Sequence, residues 1–294
     1  MTKEVTALLA FCEGAHEVAF VRRLLKARFG FEKVAWRFSE FPSPFNSLFK
    51  RNVERHAAQD LSLDMAHKFY LPDKVLRRGD DLALLFNAGG KTAGKLAEVG
   101  GFLADFLDLH ERASTFPDGA LMVVGRVRVL FLHDADAEGA DRVRASLKQT
   151  FATIGERQRP WFTEDWMLDE ANPNAATTLG IASYVWADAQ GVGTLEDHLM
   201  PVLRACDAQQ CNKAECCVDE LFSWGGENRD PIAERARRHK AIITLLGQRE
   251  KPGSSQHVII DQASVLDPTA LLADKGIASF ERFLWDFLDM GPPV

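Results

Sequence analysis

The sequence predicts an α/β protein in which a largely parallel sheet is flanked by helices. Two observations carry this. Short apolar runs alternate with stretches of helical periodicity, and each apolar run ends in a polar, often glycine-containing turn. Strands that alternate with helices imply crossover connections and hence parallel pairing. The order of the strands stays open.

Residues 5–11 (VTALLAF) form the first buried strand, short, apolar and closed by Cys12-Glu13-Gly14. A helix over 15–29 follows. Phe20, Val21, Leu24 and Leu25 line one face, Arg22, Arg23 and Lys26 the other, and Gly30 sits at the C-cap position. A second strand is expected at 34–38. Residues 41–80, with Pro42, Pro44, Pro72 and the basic pair Arg77-Arg78, read as an insertion carrying one or two helices. Residues 82–86 (LALLF) are another buried strand, followed by the turn Asn87-Ala88-Gly89-Gly90-Lys91.

The next helix presents Leu96, Val99, Leu103, Phe106, Leu107 and His110 on one face. Gly100-Gly101 lies inside it, at a cost of about 1 kcal/mol per glycine, which predicts close packing there. Residues 127–132 (VRVLFL) are the clearest strand and run directly into His133-Asp134-Ala135-Asp136-Ala137-Glu138-Gly139. A helix with Val143, Leu147 and Phe151 follows. Residues 181–186 (IASYVW) are the last clear strand, and Gly193-Thr194-Leu195-Glu196-Asp197 opens a helical region. From about Arg204 onward the chain reads as mostly helical, with a short strand at 258–260 and a terminal helix over 279–288. The expected organisation is an α/β domain over 1–200, with the insertion at about 41–80, and a mainly helical segment over 201–294 packed on it.

Composition narrows the class. Of 294 residues, 46% are hydrophobic and 26% charged, enough for a large core and against disorder. The net charge of −7 excludes a plain basic coat for nucleic acid, so contact with DNA or RNA would need local basic patches or a bridging cation. The apolar run near the start is too short for a signal peptide, and no apolar stretch approaches the roughly 20 residues of a membrane span. Five cysteines without a compact framework fit a reducing cytoplasm.

The chemistry is expected at the carboxyl ends of the parallel strands, where such sheets bind ligands. Glu13 ends the first strand. Asp134 and Asp136 end the clearest one, and in an extended chain residues two apart point the same way. Crowded carboxylates repel, and a hard cation relieves this; Mg²⁺ takes oxygen ligands and suits one or two carboxylates plus substrate phosphates. Glu17, one helical turn beyond Glu13, reaches toward the same place. Glu196 and Asp197 could supply a second metal ion, as in-line phosphoryl chemistry uses. The competing explanation is helix capping, with Asp136 as N-cap and Glu138 in the first turn.

The combined order is strand, Glu-Gly, helix, strand, Gly-Gly-Lys, helix, strand, Asp-x-Asp-x-x-Gly, helix. It resembles the Toprim domain of topoisomerases, primases, ribosomal-RNA maturases and overcoming-lysogenization-defect nucleases. The resemblance spans roughly residues 5 to 200. It implies Mg²⁺ or Mn²⁺ held by Glu13, Asp134 and Asp136, serving strand cleavage or nucleotidyl transfer. Lys91, Glu196, the stretch around His239-Lys240 and the closing helix are similar to an uncharacterised bacterial Toprim-related group. The only two tyrosines, Tyr70 and Tyr184, lie in no recognisable catalytic context, and zinc-binding and helicase parts are missing, which disfavours topoisomerase and primase. A nuclease remains, with Lys91 stabilising transition-state charge and an ATPase supplied by a separate chain. So does a non-catalytic metal- or nucleotide-binding subunit of a larger complex.

Other motifs fail or stay open. Gly90-Lys91-Thr92 lacks the upstream glycine of a P-loop, Leu85 standing there. His16-Glu17 lacks the second histidine of a zinc protease, Phe20 taking its place. Cys206, Cys211, Cys216 and Cys217 sit at spacings only barely compatible with zinc, and ordinary helical cysteines are the alternative. Arg142, Arg144 and Lys148, and the run Arg235, Arg237, Arg238, His239 and Lys240, are either phosphate contacts or solvated helix faces.

Overall fold

The computed structural model describes residues 3–57, 71–115, 121–158, 179–222 and 230–290. Its strands are β1 (Lys3–Cys12), β2 (Glu32–Lys33), β3 (Lys74–Arg78), β4 (Asp81–Asn87), β5 (Met122–Asp134) and β6 (Leu179–Trp186). They form one sheet in the order β2-β3-β4-β1-β5-β6. β4, β1, β5 and β6 are parallel, whereas β2 and β3 pair antiparallel at one edge.

The helices are α1 (Ala15–Phe29), α2 (Phe45–Ala57), α3 (Ala93–Thr115), α4 (Ala140–Gln158), α5 (Leu195–Leu221), α6 (Pro231–Gln248), α7 (Gln256–Gln262) and α8 (Lys275–Phe287). They cover both faces of the sheet, which is why the central strands are apolar on both sides. Alternation along β1 divides the core. Ala7, Leu9 and Phe11 face α2, α3 and α4; Leu8, Ala10 and Cys12 face α1 and the carboxyl-terminal helices. The second layer is closed by Phe280, Phe283, Leu284 and Phe287 of α8. The buried Arg128 of β5 secures that helix, its Nε donating to the Phe287 carbonyl at 2.9 Å. None of the helices is long and apolar enough to cross a membrane, among the described residues.

Several local expectations need correction. No strand occupies 34–38: β2 lies at Glu32–Lys33 and a 3-10 turn at Phe38–Glu40. The expected insertion contains β3, which turns through Gly79-Asp80 into β4. Gly79 takes a left-handed φ of 55°, as such a tight hairpin needs. Residues 58–70 of that stretch, Tyr70 among them, fall outside the described residues. The run 258–260 is not a strand but part of α7. Ile259 and Ile260 are wholly buried in the layer formed by α1 and α6, and Arg23 donates to the Ile260 carbonyl at 3.0 Å. Close packing does not explain Gly101, because a methyl there would meet open space.

Candidate acidic site at the strand ends

Parallel pairing brings the carboxyl ends of β1, β5 and β6 to one rim of the sheet. Glu13 continues the pairing by donating its amide to the Leu132 carbonyl at 2.9 Å. Its carboxylate spans to the neighbouring strand, with Oε2 accepting the Asp134 amide at 3.1 Å and lying 3.5 Å from His133 Nδ1. Burial alone would raise the Glu13 pKa. The His133 imidazole and the Lys91 ammonium outweigh it and hold the group below the usual range.

The backbone between Asp134 and Asp136 is not extended, so the same-side spacing expected of a strand does not apply to the pair. β5 ends at Asp134, and Asp136 adopts a left-handed φ of 48°. The cause is a two-way backbone pairing: Asp136 and Gly193 exchange hydrogen bonds of 2.8 and 3.0 Å, which ties the β5–α4 loop to the β6–α5 loop. Asp134 is buried, and its Oδ1 accepts the Leu195 amide at 2.8 Å, in the first turn of α5. Asp136 is half exposed, with Oδ2 at 2.6 Å from Lys91 Nζ. The capping explanation is therefore displaced. Asp136 precedes α4 by four residues, too far out for its N-cap position, whereas Asp134 accepts an amide from a different helix.

Glu17 and Glu196 complete the buried group. Glu17 Oε2 accepts the Gly14 amide at 2.7 Å, as a capping residue in the first turn of α1. Glu196 is 1% exposed; its Oε1 lies 3.0 Å from His16 Nδ1 and 3.7 Å from Lys240 Nζ, and its Oε2 has no partner. Burial, then repulsion from Glu196, pushes Glu17 up to about 7. Burial, then Glu17 and Glu196, pushes Asp134 well above the carboxylate range. Glu196 itself is held low, because the His16 hydrogen bond and the Lys240 charge overcome its burial.

Asp197 is drawn elsewhere. It accepts the Thr194 amide at 2.9 Å and pairs with Arg235 at 3.0 Å and His239 at 2.9 Å. Arg235 also reaches Asp188 at 2.9 Å, and Arg238 clasps Asp219 with two bonds of 2.7 Å. The basic run on α6 is thus largely spent on internal ion pairs. Arg237 is the most exposed of them and lies 3.7 Å from Glu234 on its own helix. Lys240 joins the carboxylate group.

Lys91 sits above the rim. Gly90 donates to the Glu13 carbonyl at 2.8 Å, and left-handed Gly89 and Gly90 bring the next residue round, so that Lys91 Nζ donates to the Asp134 carbonyl at 2.9 Å as well as to Asp136. His16, His133 and Lys240 were not singled out from the sequence as site residues. His16 stood out only for a failed zinc motif, and Lys240 only within a basic run and a stretch similar to the Toprim-related group; His133 carried no signal. The four clustered cysteines lie on α5 as free thiols, Cys211 being buried.

Among the described residues, no three His, Cys, Asp or Glu side chains stand in an arrangement that would hold a metal ion. Glu13, Glu17, Asp134 and Asp136 each engage a protein donor instead. The donor set nevertheless fits a hard cation by its chemistry: all-oxygen carboxylates, one with a buried and unpartnered oxygen, two driven toward protonation by burial and then by their neighbours' charge. Comparison with protein-family models, with curated proteins and with solved structures gives no match to this chain.

Proposed function

We propose that the chain is a Toprim-like, Mg²⁺- or Mn²⁺-dependent phosphodiester hydrolase acting on DNA or RNA. The observation that supports it is the crowding of Glu17, Asp134 and Glu196 behind Glu13, from three separate elements, at the rim where a parallel sheet binds ligands. Buried carboxylates repel unless a positive charge joins them. Glu13, Asp134 and Asp136 would hold the cation, which supplies charge neutralisation for a phosphate and a more acidic bound water. Glu17 and Glu196 stand behind these, as ligands of a second ion or as proton acceptor for the attacking water. Lys91, next to Asp136, offsets negative charge that builds on the phosphate. Nucleic acid would run along the exposed Arg142 and Lys148 of α4, which opens just beyond Asp136.

A second reading is a non-catalytic metal- or nucleotide-binding subunit, working with a separate ATPase chain. What favours it is that the carboxylates are already compensated from within, by Lys91, His16 and Lys240. The deciding experiment incubates the protein with supercoiled plasmid, single-stranded DNA and structured RNA in Mg²⁺, Mn²⁺ or EDTA. The Asp134→Ala/Asp136→Ala protein runs alongside. Metal-dependent cleavage lost in the variant supports the hydrolase. Metal-dependent stabilisation without cleavage supports the subunit, and recovery of an ATPase from the native host would extend it.

A further inference from the structure

Lys91 is placed as a cation would be. Its Nζ bridges a main-chain carbonyl, that of Asp134 at 2.9 Å, and a carboxylate oxygen, Asp136 Oδ2 at 2.6 Å. Both are oxygen donors of the kind that Mg²⁺ and Mn²⁺ accept. The position is built rather than incidental. Gly90 is pinned to the end of β1 through the Glu13 carbonyl, and Asp136 is fixed in its left-handed conformation by the Gly193 bridge. The lysine side chain is 21% exposed, so its ammonium is enclosed and can still swing to solvent on its flexible stem.

We infer that Lys91 is a tethered counter-ion that occupies part of the cation site and must be displaced when a divalent ion binds. This rests on the metal reading above and adds regulation to it. An ammonium and a divalent ion cannot share Asp136 Oδ2 without strong repulsion, so each weakens the other's hold. The acidic rim then stays neutralised at low metal concentration. Metal entry frees the ammonium at the mouth of the site, within reach of a phosphate. The device makes apparent metal affinity depend on Lys91, and it predicts that affinity rises when the ammonium is removed.

The test is Mn²⁺ binding by calorimetry, and by loss of the free-Mn²⁺ resonance signal, for the wild-type chain, Lys91→Met, Lys91→Arg and Asp136→Asn. Circular dichroism checks that each variant is folded. Lys91→Met is expected to bind Mn²⁺ roughly tenfold more tightly than wild type, about the factor given by 1.4 kcal/mol. Lys91→Arg, which keeps the charge, is expected to stay close to wild type, and Asp136→Asn to bind more weakly. Wild-type binding that Lys91→Met leaves unchanged or weakens overturns the counter-ion role alone. Absence of Mn²⁺ binding in both wild type and Lys91→Met overturns the metal reading and this inference together. Should Lys91→Met fail to fold, Lys91→Gln provides the same comparison.

Discussion

Asp134 Oδ1 accepts the backbone amide of Leu195 at 2.8 Å, so the last residue of β5 caps a helix that begins after the next strand. One carboxylate thereby holds a fold contact and a place in the acidic group. The two roles separate by substitution. Asp134→Asn keeps an acceptor oxygen and removes the charge, so without divalent cations it is expected to melt higher than wild type. Asp134→Ala also loses the cap, worth about 1 kcal/mol, and should melt below Asp134→Asn by that amount. Both should lose metal-dependent cleavage. Thermal melts in EDTA beside the nuclease assay read both effects, and equal melting of the two variants would contradict the capping role.

Glu17 gives the group a pH signature. Its folded pKa of about 7 lies above the ordinary 4.5. Between these values the folded chain binds more protons than the unfolded one, so this group's contribution favours folding in acid and is lost as pH rises toward 7. The loss is on the order of 3 kcal/mol, at about 1.4 kcal/mol per pH unit. Asp134 pushes in the same direction. Glu17→Gln retains the acceptor for the Gly14 amide and carries no charge. Melting temperatures in EDTA from pH 4.5 to 8 should therefore show wild type falling relative to Glu17→Gln. The gap should narrow when Mg²⁺ or Mn²⁺ is added. Parallel curves in EDTA would mean that Glu17 is not charged against its neighbours.

The β1 strand and α1 were legible because hydrophobic period and caps agree there: the helix runs from Ala15 to Phe29 and Gly30 closes it at φ 69°. The parallel sheet followed from the same periodicity. β3 was missed because Lys74–Arg78 holds two apolar residues and borrows its stability from β4. The run 258–260 misled because β-branched residues suit a strand, while tertiary packing against α1 and α6 decides for a helix. In the site, sequence supplied the carboxylates and Lys91. It could not supply their partners. His16 meets Glu196 across 180 positions, and the left-handed turn at Asp136 depends on Gly193, 57 residues further on. Asp197 looked equivalent to Glu196, yet adjacent helical residues point apart, and Arg235 and His239 claim it.

Two helical glycines should respond in opposite senses to alanine. Gly101 lies within α3, where a methyl would meet open space, so Gly101→Ala is expected to stabilise by up to about 1 kcal/mol. Gly247 lies near the end of α6, where a methyl would overlap the Ile259 side chain of α7. Gly247→Ala is expected to cost roughly 1–3 kcal/mol as α7 is forced away. Urea unfolding of both variants gives the comparison, and a destabilised Gly101→Ala would point to a packing constraint on α3.

The two basic clusters should separate in the same way. Arg142 and Lys148 are exposed on α4, whereas Arg235 is committed to Asp188 and Asp197. If α4 tracks a nucleic-acid backbone, Arg142→Glu/Lys148→Glu weakens binding uniformly across sequences. It also lowers the slope of log affinity against log salt by about 2, one for each phosphate that no longer meets a cation. The fold should be untouched, because neither side chain is buried. Arg235→Ala acts through the fold instead: it leaves two carboxylates facing each other across the β6–α5 loop, and the melting temperature should fall while the salt slope of binding stays at its wild-type value. Fluorescence anisotropy with single-stranded and duplex probes, at several salt concentrations, measures the slopes. A slope unchanged in the α4 double variant would remove α4 from the nucleic-acid path and leave the rim without a basic approach on that side.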